Sequence, residues 1–444
     1  MNKTIVLLLV LAAVMVIPAT ACTPGFTLHI EDYEEYIPAM QIVETFETTT
    51  EEYEAENPIS THWSQENFTD IRQPLSSTDL APGVIAVNYI QYINDSLPGR
   101  SPFTYIELDT AIWLVEELLA MGHAWENIEV QEFTFWDINR DELALGGRIY
   151  WGMVNAPGIL GHRRQRLLRI NRTSQNVVLT VPGQTDQTIV VMAHYDSPPY
   201  ASASDNASGV ALLLESAQRI LEEDNYYTIV YAFLGAEEVG LAGAYWFLNL
   251  LTPAQADNIV LAVNADVLIE GPHLVYGTGI LPEISEEELE PMRADVLEHF
   301  GLNENFNIPL DILLFAAVES GLLEPDQDEV TLAVQALFAA VAEENGFDLL
   351  PILAAVASPT DSLAFFLEGF RAVNFVGLED INNIDPKLAE QLTRLGEGFG
   401  DLTVTILHSP LDDFYIIEEI WPGMMNDNLK AFVLLLQALL LNSF

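Results

Sequence analysis

A chain of 444 residues, half of them hydrophobic, has room for about three domains or one large α/β domain with attachments, and is too apolar to be disordered as a whole. Its 16 basic against 66 acidic residues leave a formal net charge of −50, which excludes nucleic acid, whose phosphates demand clustered Lys and Arg, and argues against electrostatic docking on an anionic membrane. A single cysteine excludes an internal disulfide framework and any cysteine-based zinc ribbon.

Residues 1–22 read as an export signal: Lys3 gives a basic start, residues 4–17 are an apolar run, and Ala19-Thr20-Ala21 offers the small residues a signal peptidase needs. The run is shorter than the roughly 20 residues that span a bilayer. Cys22 follows directly and resembles the lipidated cysteine of a lipoprotein signal, with Ala19 where that pattern prefers Leu. A lipid anchor at Cys22 and plain cleavage after Ala21 are both open, and either places the protein outside the cell or on the outer face of its membrane. Residues 23–80, acidic among Thr, Tyr and Pro with no helical stripe, read as a solvated tether, leaving 81–444 for the folded domain.

From about residue 85 strands and helices alternate. Ile112, Val115, Leu118 and Leu119 share a helical face and predict a helix over 108–121, with Gly122 as its stop. Short β-branched runs predict strands at 188–193, 228–234, 259–264, 372–376 and 403–407, with helices at 207–222 and 241–250. The order implies an α/β fold, a mostly parallel or mixed central sheet covered by helices on both faces. Residues 281–350 interrupt it with two helical stretches and no clear strand, one opened by Ser285 and Glu288 at capping-box spacing, the other over about 328–345 and stopped by Gly346. They read as a helical insertion. The apolar residues 431–441 are too short to span a membrane and read as a buried final helix.

In an open α/β sheet, sites form beyond the carboxyl ends of the strands. His194 and Asp196 follow the first of these strands, Asp205 opens the next helix, Glu237 and Glu238 follow the second strand, Asp266 the third, and His408 and Asp412 the last. Singly each is ordinary: a strand-end His is usually a hydrogen-bonded structural residue, Asp205 suits a helix cap, and Glu237-Glu238 suits a solvated pair. Together, two imidazoles and several carboxylates at one sheet edge are the ligand types of zinc, whose catalytic sites keep a position open. A paired site also needs one carboxylate able to bridge two ions.

The motifs His194-Tyr195-Asp196-Ser197, Asp205-Asn206-Ala207-Ser208-Gly209 and Glu237-Glu238, preceded by Leu97-Pro98-Gly99-Arg100 and Ser174-Gln175-Asn176-Val177-Val178, resemble the co-catalytic zinc aminopeptidase family, which includes bacterial leucyl aminopeptidases, glutamate carboxypeptidase and the transferrin receptor ectodomain. The likeness extends over about residues 97–444 apart from the insertion. It implies a zinc-exopeptidase fold and two Zn²⁺ ions. His194 and Asp266 would hold one, Glu238 and His408 the other, and Asp205 would bridge them. It further implies a cis peptide at Asp205-Asn206, Asp196 and Asp412 accepting hydrogen bonds from His194 and His408, and Glu237 as general base. Four negative charges, on Asp205, Glu237, Glu238 and Asp266, would meet four positive ones, so metal binding is expected to stabilise the fold.

Two positions depart from the family pattern. Ser358-Pro359-Thr360-Asp361-Ser362 lacks the usual His or Tyr, which leaves a side-chain oxyanion donor unassigned, and Ser409 replaces a Thr. His273, near the third strand end, reads as structural. The implied activity is that of an exported di-zinc metallo-aminopeptidase acting on peptides with free N-termini; nothing in the chain specifies an oligomeric state. The alternatives are carboxypeptidase or glutaminyl cyclase-like activity on the same site, or a non-catalytic receptor-like role. A carboxypeptidase needs a cation for the substrate carboxylate, for which Arg371 or the arginines of 163–169 are the candidates. The net charge also suits adaptation to high salt, since at 1 M the Debye length is about 3 Å and surface acids no longer repel one another.

Overall fold

The near-continuous apolar runs of 188–193, 228–234 and 259–264 form strands buried on both faces, the condition under which parallel strands pair. The computed structural model describes residues 63–69, 72–134, 173–300, 310–380, 398–399, 402–404 and 406–444. The export signal with Cys22, most of the acidic tether and the arginines of 163–169 lie outside them. The strands are β1 (Ile128–Thr134), β2 (Thr173–Val181), β3 (Thr188–His194), β4 (Thr228–Leu234), β5 (Ile259–Ala265), β6 (His273–Gly279), β7 (Leu349–Pro351), β8 (Ala372–Asp380), β9 (Gly398–Phe399) and β10 (Leu402–Thr403). They form one mixed sheet in the order β1-β2-β4-β3-β5-β8-β10-β9, with β6 and β7 attached beside β8. Its centre, β4-β3-β5-β8, is parallel, whereas β1, β2, β6 and β10 join antiparallel.

Alternate residues of β3 serve different layers, as strand geometry requires. Ile189, Val191 and Ala193 pack with α1 (Val84–Ser96), α2 (Tyr105–Met121), α3 (Gly209–Arg219) and the final helix. Val190 and Met192 pack in a second cluster with α4 (Ala242–Leu250) and with Leu297, Leu313 and Phe365 of α5 (Glu286–Phe300), α6 (Leu310–Glu319) and α8 (Asp361–Leu367). The second helix of the predicted insertion is α7 (Glu329–Asn345), stopped by Gly346. Between 281 and 350 the described residues thus give three helices, and β7, which pairs parallel with β6, begins at the end of this segment. Following α9 (Phe414–Ile420), α10 (Met424–Leu441) is long and apolar enough to cross a membrane by length and composition, yet Leu429, Phe432, Leu435 and Leu436 are buried in the first core cluster.

Three boundaries differ from the sequence reading for local reasons. α2 starts at Tyr105 rather than 108, because Thr104 Oγ1 accepts the Glu107 N–H at 3.3 Å and caps the helix. α3 starts at Gly209 rather than 207, because Asp205 and Asn206, joined by a cis peptide, leave helical geometry and Asn206 Oδ1 accepts the Gly209 N–H. A side chain at Gly209 would overlap the Ala265 carbonyl, so glycine lets α3 pack against the end of β5. The strand expected at 403–407 shrinks to the two residues of β10, and His408 stands on a turn at φ 53°. Glu270 Oε2 takes the Ile406 N–H at 3.1 Å, so the backbone there serves a side chain instead of a ladder.

Candidate metal centre

The parallel register aligns the carboxyl ends of the central strands. His194, the last residue of β3, lies level with Leu234, the last of β4, so the loops carrying Asp196 and Glu237-Glu238 leave the sheet side by side. Asp266 directly follows β5. Asp205 projects from the turn before α3, and His408 from the turn after β10.

The structure brings five of these side chains together in two groups. His194 Nε2 lies 3.2 Å from Asp205 Oδ1 and 3.4 Å from Asp266 Oδ1. His408 Nε2 lies 3.1 Å from Asp205 Oδ2 and 3.3 Å from Glu238 Oε2. Donor atoms within each group lie within 4.8 Å of one another, and Asp205 belongs to both through different oxygens. Zinc holds nitrogen and oxygen ligands at about 2.0–2.1 Å, which in a tetrahedron sets neighbouring donors about 3.3 Å apart. The separations here match that spacing, and buried Asp266 Oδ1 and Glu238 Oε1 receive no hydrogen bond within the protein. Each group supplies three donors, the number that leaves a catalytic zinc one open position. The residues therefore fit a pair of metal ions. Glu237 lies within 4.8 Å reach of His194 and Glu238 and is the carboxylate outside the two groups that share Asp205.

Burial penalises the imidazolium of His194, but Asp266 and Glu237 outweigh it and hold its pKa well above the usual value. His408 is raised likewise, against burial, by Glu238 and Asp205; its side chain is 37% exposed, so solvent screens that shift more. Burial raises the carboxyls of Glu237, Glu238 and Asp266, opposed in each case by a histidine. It also lifts Asp412 to about 7 and Asp361 to about 8. All these groups bind protons more tightly when folded, so the stability they carry is present at low pH and is lost as pH rises through the raised values. Asp205 is shifted the other way by its two histidines, but its contribution is lost only at strongly acid pH. The melting temperature of the chelator-stripped protein should therefore fall between pH 5 and pH 8; a flat or rising profile in a thermal melt would contradict this.

Neighbouring side chains also hold the backbone of the site. The Asp196 carboxylate lies 3.5 Å from His194 Nδ1, whose closer partner is the Asp196 backbone carbonyl at 3.1 Å. Its oxygens also accept the N–H groups of Glu237 at 2.9 Å and Glu238 at 3.1 Å. Asp412 does not serve His408: its oxygens accept the N–H groups of Ser204 and Asp205, clamping the turn that aims Asp205. Arg371 is paired with Asp328, which caps α7, so it is engaged away from the strand-end cluster. His273 sits at the start of β6 and joins none of the donor groups found among the described residues. The Thr360 hydroxyl is tied to Asn264 Nδ2 and Ser362, which seats Asp361 at the first turn of α8 with both carboxylate oxygens buried and without a hydrogen bond. The sequence reading passed over Asp361 and also Glu107, a fully buried carboxylate on α2 bonded to the Ala236 N–H at 3.1 Å. The one signal for Glu107 was an acid on the apolar face of a helix that follows the Arg100 segment.

Residues 176–300 match the model of Peptidase family M28, a stretch that holds four of the five clustered residues, with His408 beyond it. The alkaline phosphatase isozyme conversion protein of Escherichia coli (strain K12) is 24% identical over 257 residues, covering 52% of this chain and 68% of that protein. Aminopeptidase YwaD of Bacillus subtilis (strain 168) is 31% identical over 102 residues, only 22% of either chain. Among solved structures, BSAP, a zinc aminopeptidase from Bacillus subtilis, aligns over 80% of this chain and 95% of its own at 16% identity with a TM-score of 0.50, a likeness of fold. The matched stretch and these relatives support a co-catalytic zinc aminopeptidase family and a metallo-exopeptidase, and the likeness to BSAP adds the fold.

Proposed function

We propose that the protein is an exported di-zinc aminopeptidase that removes N-terminal residues from peptides. The observation that carries the reading is Asp205, which presents one carboxylate oxygen to the His194 group and the other to the His408 group. His194, Asp205 and Asp266 would hold one ion, and Asp205, Glu238 and His408 the other. The ions, when bound, supply Lewis acidity that polarises the scissile carbonyl and acidifies water. Glu237 accepts the proton of the attacking water and passes it to the departing amine. Asp196 holds the backbone beneath Glu237 and Glu238, and so aims a base and a ligand at once. The engagement of Arg371 by Asp328 supports a free-amine substrate over a C-terminal carboxylate, and the acidic surface favours the amine's positive charge. Export, with or without a lipid on Cys22, rests on the signal-like residues 1–22.

The test is mass spectrometry of mixed free and N-acetylated peptides incubated with the zinc-loaded protein. Stepwise shortening from free N-termini, with acetylated peptides intact, is expected. Trimming from C-termini, or loss of ammonia from N-terminal Gln, would replace the reading with one of the other activities, and untouched peptides would reject it.

A further inference from the structure

Four consecutive backbone N–H groups in the turn after β4 each end on a buried side-chain acceptor. Gly235 donates to Asn176 Oδ1 at 3.1 Å, Ala236 to Glu107 Oε1 at 3.1 Å, Glu237 to Asp196 Oδ1 at 2.9 Å and Glu238 to Asp196 Oδ2 at 3.1 Å. Asn176 lies on β2, and Asp196 follows β3, the two strands that flank β4. Glu107 comes from elsewhere: it sits on α2, outside the stretch that matches the peptidase family, and reaches the turn across 129 positions of sequence.

Three donors meet the Glu107 carboxylate: the Ala236 N–H, the Ser174 hydroxyl at 2.6 Å and the Phe103 N–H. A carboxylate with no exposed surface persists only with such compensation. Its bond to Ala236 falls where the backbone needs fixing, because Ala236 stands at φ 56°, in the left-handed region that non-glycine residues avoid. Conformations of this kind are kept only where the surroundings over-determine them. Ala236 is the residue directly before Glu237, so its rotation sets the direction from which the Glu237 side chain leaves the turn.

We propose that Glu107 is a positioning residue for Glu237, setting the base's orientation through the Ala236 N–H. The proposal rests on the reading of Glu237 as the general base. Its test compares Glu107→Met, which fills the space without an acceptor, with Glu107→Gln, which keeps one carbonyl oxygen, both in the full zinc-loaded chain. Glu107→Met should lower kcat by about 10–100-fold with KM within about twofold, since misplacing a catalytic group by about 1 Å costs up to about 10²-fold. Metal content should be unchanged, and amide hydrogen exchange in a peptide spanning 235–238 should accelerate by about tenfold or more, the loss of one net hydrogen bond of roughly 1.4 kcal/mol corresponding to about tenfold. Glu107→Gln should recover most of both. A folded Glu107→Met protein with wild-type kcat overturns the proposal, as does a fall in kcat that tracks loss of metal or is equal in the two variants. Should Glu107→Met not fold, Ser174→Ala, which removes the hydroxyl that holds the same Glu107 Oε1 receiving the Ala236 N–H, takes its place; unchanged exchange at 235–238 then overturns it. The exchange readout does not depend on turnover. A wild-type protein inactive on peptides therefore rejects the function reading, while exchange still reports whether Glu107 holds the turn.

Discussion

Glu237→Gln should leave the proposed pair of metal ions in place and lower kcat by about 10²–10⁴-fold, the usual contribution of a general base. The substitution keeps the size of the side chain and all of the hydrogen bonds that hold the turn, since those run from backbone N–H groups to Glu107, Asn176 and Asp196. It removes only the capacity to take a proton. The carboxyl is suited to that work: burial raises its pKa well above the ordinary value, while His194 opposes the rise. A base is most effective when its pKa lies near the working pH. Metal content by elemental analysis and kcat on a free-N-terminal peptide check the prediction together. A variant that keeps more than about a tenth of the wild-type rate would sink the assignment of the base.

Asp205→Asn should cost more and fail differently. The amide preserves shape but replaces one carboxylate oxygen with an NH2 group that cannot serve as a ligand, so one of the two donor groups loses its shared member. At least one ion per chain should be lost on gel filtration. Several kcal/mol of Lewis-acid stabilisation, at 1.36 kcal/mol per factor of ten, corresponds to a fall in kcat of about 10³-fold or more. Zinc should raise the melting temperature of the wild-type protein, because metal that binds only the folded state stabilises it, and the variant should lack that rise. Two retained ions with kcat above a tenth of wild type would show that Asp205 does not bridge them.

Much of the parallel centre was legible because strands buried on both faces leave dense β-branched runs, as in 188–193 and 228–234. The joining strands were less legible. β6, with two glycines in seven residues, lacks such a run, and the strand expected at 403–407 dissolves because Glu270, far away in sequence, captures a backbone donor. In the site the same division holds. His194, Glu238, Asp266 and His408 stand just past strand ends or in turns, where residue type and position together carry the meaning. The resemblance pairs Asp412 with His408, whereas its turn folds the carboxylate back onto Ser204 and Asp205. Glu107 carries no motif and Asp361 stands in a segment that departs from one; what marks them is a tertiary bond in one case and buried, unbonded oxygens in the other.

The two oxygens of Asp205 have a thermodynamic consequence for the proposed pair of ions. An ion held at one oxygen would withdraw electron density from the other and would also fix the carboxylate's rotation, lowering basicity at the second group while ordering it. Whatever the net sign, the effect of the first ion on the second equals that of the second on the first, since coupling free energies are reciprocal. A calorimetric titration of stripped protein should then follow a coupled binding polynomial, with stepwise constants that depart from the statistical ratio of two independent sites. The two halves of the centre are in that sense one ligand-binding unit with a common hinge, and a metal-specific inhibitor aimed at either half would alter the grip of the other.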